Sequence, residues 1–123
     1  MKRIFTLALL LMTSVFLFSS CQKDEDLIIG TWNMDLSTST NDGVSWSSLG
    51  YSKVQYSFFE DGLYFENWNY RGTPGSNYSI YSISDKYLIL DGFQYTIEQL
   101  SSKKLVIKKS SLGGTLYEVF YKE

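Results

Sequence analysis

The chain contains no histidine, and among its 123 residues it has one cysteine, Cys21, and one proline, Pro74. Without histidine there is no Ser-His-Asp triad, no Cys-His dyad and no histidine-based zinc site. A single cysteine excludes an intrachain disulfide. Alanine is almost missing as well: Ala8 is the only one, and it lies in the N-terminal apolar run. Alanine is the best helix former, so its absence from the rest of the chain weighs against helices. Net positive charge is lacking too. Once residues 1–20 are set aside, nine basic side chains face 13 acidic ones, a formal charge of −4. Such a surface suits nucleic acid poorly, and the remaining length suits one small domain rather than two.

What is present begins with an address. Met1-Lys2-Arg3 is positively charged, and Ile4 to Phe18 then runs without a charge. That run has the length of a signal-peptide core and is short for a bilayer-spanning helix. The string Leu17-Phe18-Ser19-Ser20-Cys21 resembles a bacterial lipobox, in which a large apolar residue and two small ones precede the cysteine. The resemblance implies that the Cys21 thiol is diacylglycerylated and that residues 1–20 are a signal peptide cut off before it. Acyl chains contribute about 0.8 kcal/mol per buried methylene, so several chains hold a protein durably on a membrane. An ordinary secretory signal followed by an incidental cysteine is the alternative. The next residues, Gln22-Lys23-Asp24-Glu25-Asp26, resemble the export signal of Bacteroidetes lipoproteins, a lysine and acids just after the lipidated cysteine. That resemblance implies a place on the outer face of the outer membrane. Read by charge alone, residues 21–26 are a solvated acidic tether.

Residues 27–123 read as one all-β domain. The first run, Leu27 to Ser37, alternates with Ile28, Gly30, Trp32, Met34 and Leu36 on one face and Thr31, Asn33, Asp35 and Ser37 on the other, the period of a half-buried strand. A polar segment, Thr38 to Ser52, follows as the longest expected loop and carries an isolated Trp46. Further strand-like runs cover Lys53 to Phe59, Leu63 to Tyr70, Asn77 to Ile83, Tyr87 to Leu90, Phe93 to Leu100, Lys104 to Lys109 and Thr115 to Lys122. Turn chemistry separates them, including Glu60-Asp61-Gly62, a break over Arg71 to Ser76, and Asp91-Gly92. About eight strands with short antiparallel connections predict a small up-and-down barrel.

Gly30-Thr31-Trp32 on the first strand resembles the Gly-x-Trp motif of lipocalins. Phe58, Asp61-Gly62-x-Tyr64, Gly75-x-x-Tyr78-x-Ile80 and Tyr87-Leu88-x-Leu90 extend the likeness to the small lipocalin-like lipoproteins of Bacteroidetes. The resemblance implies a calycin-like barrel closed at one end by Trp32, with Gly30 admitting a neighbour. In lipocalins an arginine of the last strand packs over this tryptophan. Here the last strand offers Lys122, and the only arginine beyond the signal is Arg71.

Chemistry is sparse. Glu60, Asp61, Asp85 and Asp91 fall at turns, where solvated acids are ordinary. Glu66 lies mid-strand among Tyr64, Trp68 and Tyr70; if that face is interior it needs a partner, Arg71 or a tyrosine hydroxyl, and if not it faces solvent. The aromatic residues serve either as core or as a platform for a ligand. For the second role the candidates are Trp46, Trp68, Tyr70 and Arg71, at the end of the barrel opposite Trp32 and beside the Arg71–Ser76 loop. Lys103, Lys104, Lys108 and Lys109 cluster on one hairpin, where they are expected to protect an edge. No metal site, cofactor or enzymatic machinery is expected. Two functions remain: a surface-anchored binding module for a small apolar or glycan ligand, or a structural or protein-interaction lipoprotein of the cell envelope with a filled barrel.

Overall fold

The structure is a computed structural model that describes residues 23–111 and 113–123. Cys21 and the signal segment lie outside the described residues. The elements are α1 (Asp24–Leu27), β1 (Gly30–Met34), β2 (Thr40–Asn41), β3 (Val44–Ser45), α2 (Trp46–Leu49), β4 (Tyr51–Phe58), β5 (Leu63–Tyr70), β6 (Thr73–Ser84), β7 (Tyr87–Leu90), β8 (Phe93–Leu100), β9 (Lys104–Ser111) and β10 (Gly114–Lys122). The main strands follow the order β1-β4-β5-β6-β7-β8-β9-β10, and β1 pairs back onto β10. The result is a closed, antiparallel, eight-stranded barrel, consistent with a lipocalin-like architecture. The short β2–β3 hairpin hangs on β10.

Period-two patterning fills the interior. Trp32 and Met34 of β1, Val54, Tyr56 and Phe58 of β4, Leu88 and Leu90 of β7, Leu105 and Ile107 of β9 and Phe120 of β10 are all buried in one cluster. Large aromatic side chains supply much of that core, which is how so small a barrel excludes water.

Trp32 is fully buried at one end of the barrel. Its Nε1 donates to the Ile28 carbonyl at 2.8 Å. Lys122 Nζ lies 5.2 Å from the ring centroid and donates to the Leu27 carbonyl at 3.2 Å. The lysine thus takes the place over the tryptophan that the lipocalin resemblance gives to an arginine, as a cation on an aromatic face. Gly30 makes room for it: with φ at 131°, a β-carbon there would lie 2.6 Å from Lys122 Cε. The alternating residues expected on this face stay together, Ile28, Trp32 and Met34 buried and Leu36 packed against them.

Several expectations need correction. The first strand is shorter than Leu27 to Ser37, because Asp35 folds the chain: its carboxylate accepts from the Ser37 amide at 3.2 Å and hydroxyl at 2.8 Å. The acidic segment expected as a solvated tether is helical over its described acids. Asp24, Glu25 and Asp26 form the first turn of α1, where negative charge suits the amide end of a helix. The break at Arg71 to Ser76 shrinks to Arg71-Gly72, both at positive φ, in a tight two-residue hairpin. Pro74 and Gly75 sit inside β6. Tyr81 donates its amide to Gly62, so odd-numbered residues of β6 bond β5 and Pro74 points to the other edge. There β7 pairs only with residues from Tyr81 to Ser84, and no donor is required of Pro74. Finally, β9 pairs on both sides, so its lysines guard no edge. Lys109 Nζ instead lies 4.1 Å from the Phe93 ring centroid, and Lys104 Nζ 5.7 Å from that of Tyr121.

Candidate functional site: an aromatic rim with buried carboxyls

Strand direction places the site. Gly30 pairs with Phe58 near the Trp32 end, whereas Tyr51 pairs with Tyr70 at the other. The expected long loop supplies a wall there. Ser45 caps α2 by accepting from the Ser48 amide at 3.2 Å, and Gly50 ends the helix at φ 111°. The Trp46 and Ser47 amides donate to the Ser39 and Leu36 carbonyls. Ser39 is itself locked to β10, its hydroxyl donating to the Val119 carbonyl and accepting from the Val119 amide. Trp46 is therefore not a loose loop residue but the first residue of a short helix pinned to the barrel.

The rim is a row of rings. Trp46 and Tyr51 lie 4.9 Å apart between centroids, and Tyr51 and Tyr70 4.8 Å. The Arg71 guanidinium stacks 5.2 Å from the Tyr70 ring. Gly50 lets this stack close, since a β-carbon there would lie 2.9 Å from Arg71 Cγ. Trp68 lies against Gly75, where a β-carbon would fall 2.4 Å from the indole. Three hollows border these rings. A cavity of about 200 Å³ is lined by Trp46, Tyr51, Val54, Tyr56, Glu66 and Trp68. A cleft of about 310 Å³ runs past Trp46, Ser48, Tyr51, Tyr70 and Arg71. A groove of about 490 Å³ lies beyond Trp68, along Lys53, Asn67, Asn69 and Pro74. The structure thus brings all four candidates, Trp46, Trp68, Tyr70 and Arg71, to one rim around Tyr51.

Glu66 turns inward and lines the cavity. The partner expected for it, Arg71 or a tyrosine hydroxyl, is replaced by Asn77, whose Nδ2 donates at 3.5 Å. Burial pushes the Glu66 carboxyl above the usual carboxylate range; the Asn77 bond opposes this, and Asp91 adds to it. Behind Tyr56 lies Glu118, 1% exposed, which sequence reasoning missed. The Tyr56 hydroxyl donates to Glu118 Oε1 at 3.2 Å. Burial raises the Glu118 carboxyl to about 7, against the opposing pull of that hydrogen bond. The signal was present in the alternation Leu116, Glu118, Phe120, but Tyr117, Val119 and Tyr121 are equally apolar and hid the inward face.

Among the described residues, three buried side-chain polar atoms have no hydrogen-bond partner: Trp46 Nε1, Asn69 Oδ1 and Glu118 Oε2. Two belong to residues that border the rim hollows. Buried polar groups are normally satisfied, so such atoms mark places where another molecule can supply the bond. The residues expected to direct export are elsewhere: Glu25 and Asp26 border a hollow of about 580 Å³ at the closed end, with Ile29, Glu60 and Tyr81. No family model matches the chain, and no curated protein matches it.

Proposed function

We propose that the protein is a lipid-anchored, non-catalytic binding module of the cell surface that takes a small ligand at the barrel rim opposite Trp32. The observation that supports it is the convergence of Trp46, Tyr51, Trp68 and Tyr70 on two hollows that share Trp46 and Tyr51 and are bordered by an unpartnered buried Trp46 Nε1. The inner cavity lies below the ~300–1,000 Å³ typical of small-molecule sites, so it takes a headgroup or a single ring in preference to a whole acyl chain. Asn67 and Asn69 beside Trp68 suit the hydroxyls of a glycan. The anchor is Cys21, with residues 1–20 removed and Lys23 to Asp26 directing export. Because the described chain starts at the closed end, the rim then faces away from the membrane. Tryptophan fluorescence titrated with glycans, short amphiphiles and fatty acids, in the wild type and in Trp68→Phe, tests the binding reading. A response that Trp68→Phe diminishes is expected; no response from any ligand rejects it. Mass spectrometry of membrane-extracted protein tests the anchor, which an unmodified Cys21 thiol rejects.

One observation favours a second reading, an accessory subunit of an envelope complex. On the outer face of β5–β6, Leu63 pairs with Ile80 and Phe65 with Tyr78, and Ile80 and Tyr78 are 66% and 70% exposed. Exposed apolar strips of this kind mark interaction surfaces. Native electrophoresis of membrane extracts, comparing wild type with the double variant Tyr78→Ser and Ile80→Ser, tests it; a complex of unchanged size rejects it.

A further inference from the structure

Taking the rim as a ligand site, we infer that its inner cavity recognises an organic ammonium group, held by the faces of Trp46, Tyr51, Tyr56 and Trp68 and by the Glu66 carboxylate. Four of the six residues lining this cavity are aromatic, one is Val54, and the only formal charge among them is Glu66. An aromatic ring presents negative potential on its face, which is why rings gathered around a small space hold quaternary or protonated amines. Glu66 supplies the opposite charge directly, yet its hydrogen-bond partner is a neutral amide at 3.5 Å. A partly buried carboxylate without a cation is costly, and an incoming ammonium removes that cost.

The titratable groups behind the cage are acids as well. Glu118 lies under Tyr56, bonded to its hydroxyl, and Asp91 acts on Glu66 with the sign of a like charge. The cation acting on Glu118 is Lys109, whose ammonium lies over Phe93 and Tyr95 rather than in the cavity. Trp46 Nε1 is a buried donor without an acceptor, and it suits an oxygen carried a few bonds from the ammonium, as in an amino alcohol.

Other ligand chemistries fit the inner cavity less well. A metal ion finds one carboxylate among the lining side chains and, beside it, only tyrosine hydroxyls, one of them already donating to Glu118. An acyl chain meets a carboxyl after a short apolar stretch. A glycan fits the groove beyond Trp68 but not a ring-walled space of about 200 Å³.

The test is isothermal titration calorimetry and tryptophan fluorescence on the mature chain with choline, tetramethylammonium and 3,3-dimethylbutan-1-ol, the neutral isostere of choline. Choline is expected to bind at least about tenfold tighter than the neutral alcohol. Glu66→Gln, checked for folding by circular dichroism, is expected to narrow that preference by weakening choline binding more than binding of the alcohol, the rings alone retaining part of it. The wild-type comparison of choline with its isostere stands even if the variant fails to fold. Equal binding of alcohol and choline, or binding only of a methyl glycoside, overturns the ammonium assignment and leaves the rim as a ligand site. No response to any of these probes, or to glycans and fatty acids, overturns both.

Discussion

Replacing Glu118 by glutamine is expected to stabilise the protein above neutral pH and to change it by less than about 1 kcal/mol near pH 5. The carboxyl moves from 4.5 in the unfolded chain to about 7 in the fold, chiefly because burial disfavours its charged form. The folded state therefore holds a proton that the unfolded state has released between those values. Stability falls as pH rises through that window and stays low above it. The full difference is about 3 kcal/mol, from about 1.4 kcal/mol for each pH unit of separation. Glutamine matches the protonated acid in shape and carries a donor where Oε2 lies, so the two side chains should be equivalent in the folded protein at pH 5. Tyr56 can donate to either. Glu66, also raised, acts in the same direction and remains in the variant. Asp35 is lowered, and its effect falls below pH 4, outside the window. The assay is urea unfolding at several values between pH 5 and 8.5, with Glu118→Gln beside wild type. The curves should approach each other at low pH and diverge as pH rises, with the wild type falling. Parallel curves, or a variant less stable throughout, would refute the claim that an ionising carboxyl is buried beneath Tyr56.

Trp32→Ala should cost about 3–5 kcal/mol, the usual range for emptying a buried aromatic site, read as a shift of the urea midpoint; an unchanged midpoint would show that Trp32 does not close the barrel. Gly75→Ala should displace Trp68, since the new methyl would fall 2.4 Å from the indole; a changed Trp68 emission spectrum with an intact circular dichroism signal is the expected result. Replacing Lys23 to Asp26 by alanine should leave the protein lipidated but hidden from protease added to whole cells, and unchanged cleavage would count against the export signal.

The barrel was legible because its strands alternate cleanly and its turns are chemically explicit. Asp91-Gly92 forms a turn with both residues at positive φ, as its composition implies, and Val54, Tyr56 and Phe58 are buried together. Legibility failed where a long-range partner decides the outcome. Pro74 reads as a break, yet it is tolerated in β6 because the edge it faces is not bonded there. Thr38 to Ser52 reads as loop, yet Ser39 and the Ser45 cap fold it into a hairpin and a helical turn against β10. Of the site, Trp46, Trp68, Tyr70 and Arg71 were visible as residues that strand composition alone did not absorb, whereas Tyr51, the ring between Trp46 and Tyr70, was not. The inward turn of Glu66 and the burial of Glu118 depend on which face of β5 and of β10 lines the interior. Where both faces are rich in aromatic residues, local periodicity does not decide that.

If Cys21 anchors the protein as proposed, the strand that follows α1 sets how the domain would bear mechanical load. A domain held by its N-terminus takes drag along β1, and β1 is bonded on both sides, to β4 and to β10. Antiparallel ladder bonds lie perpendicular to the strand, so a pull along β1 shears both ladders at once instead of opening them one bond at a time. Upstream of them, the short α1 turn and the bond from Lys122 to the Leu27 carbonyl lie first in the line of force. They act as a weak leader that lengthens before the barrel yields.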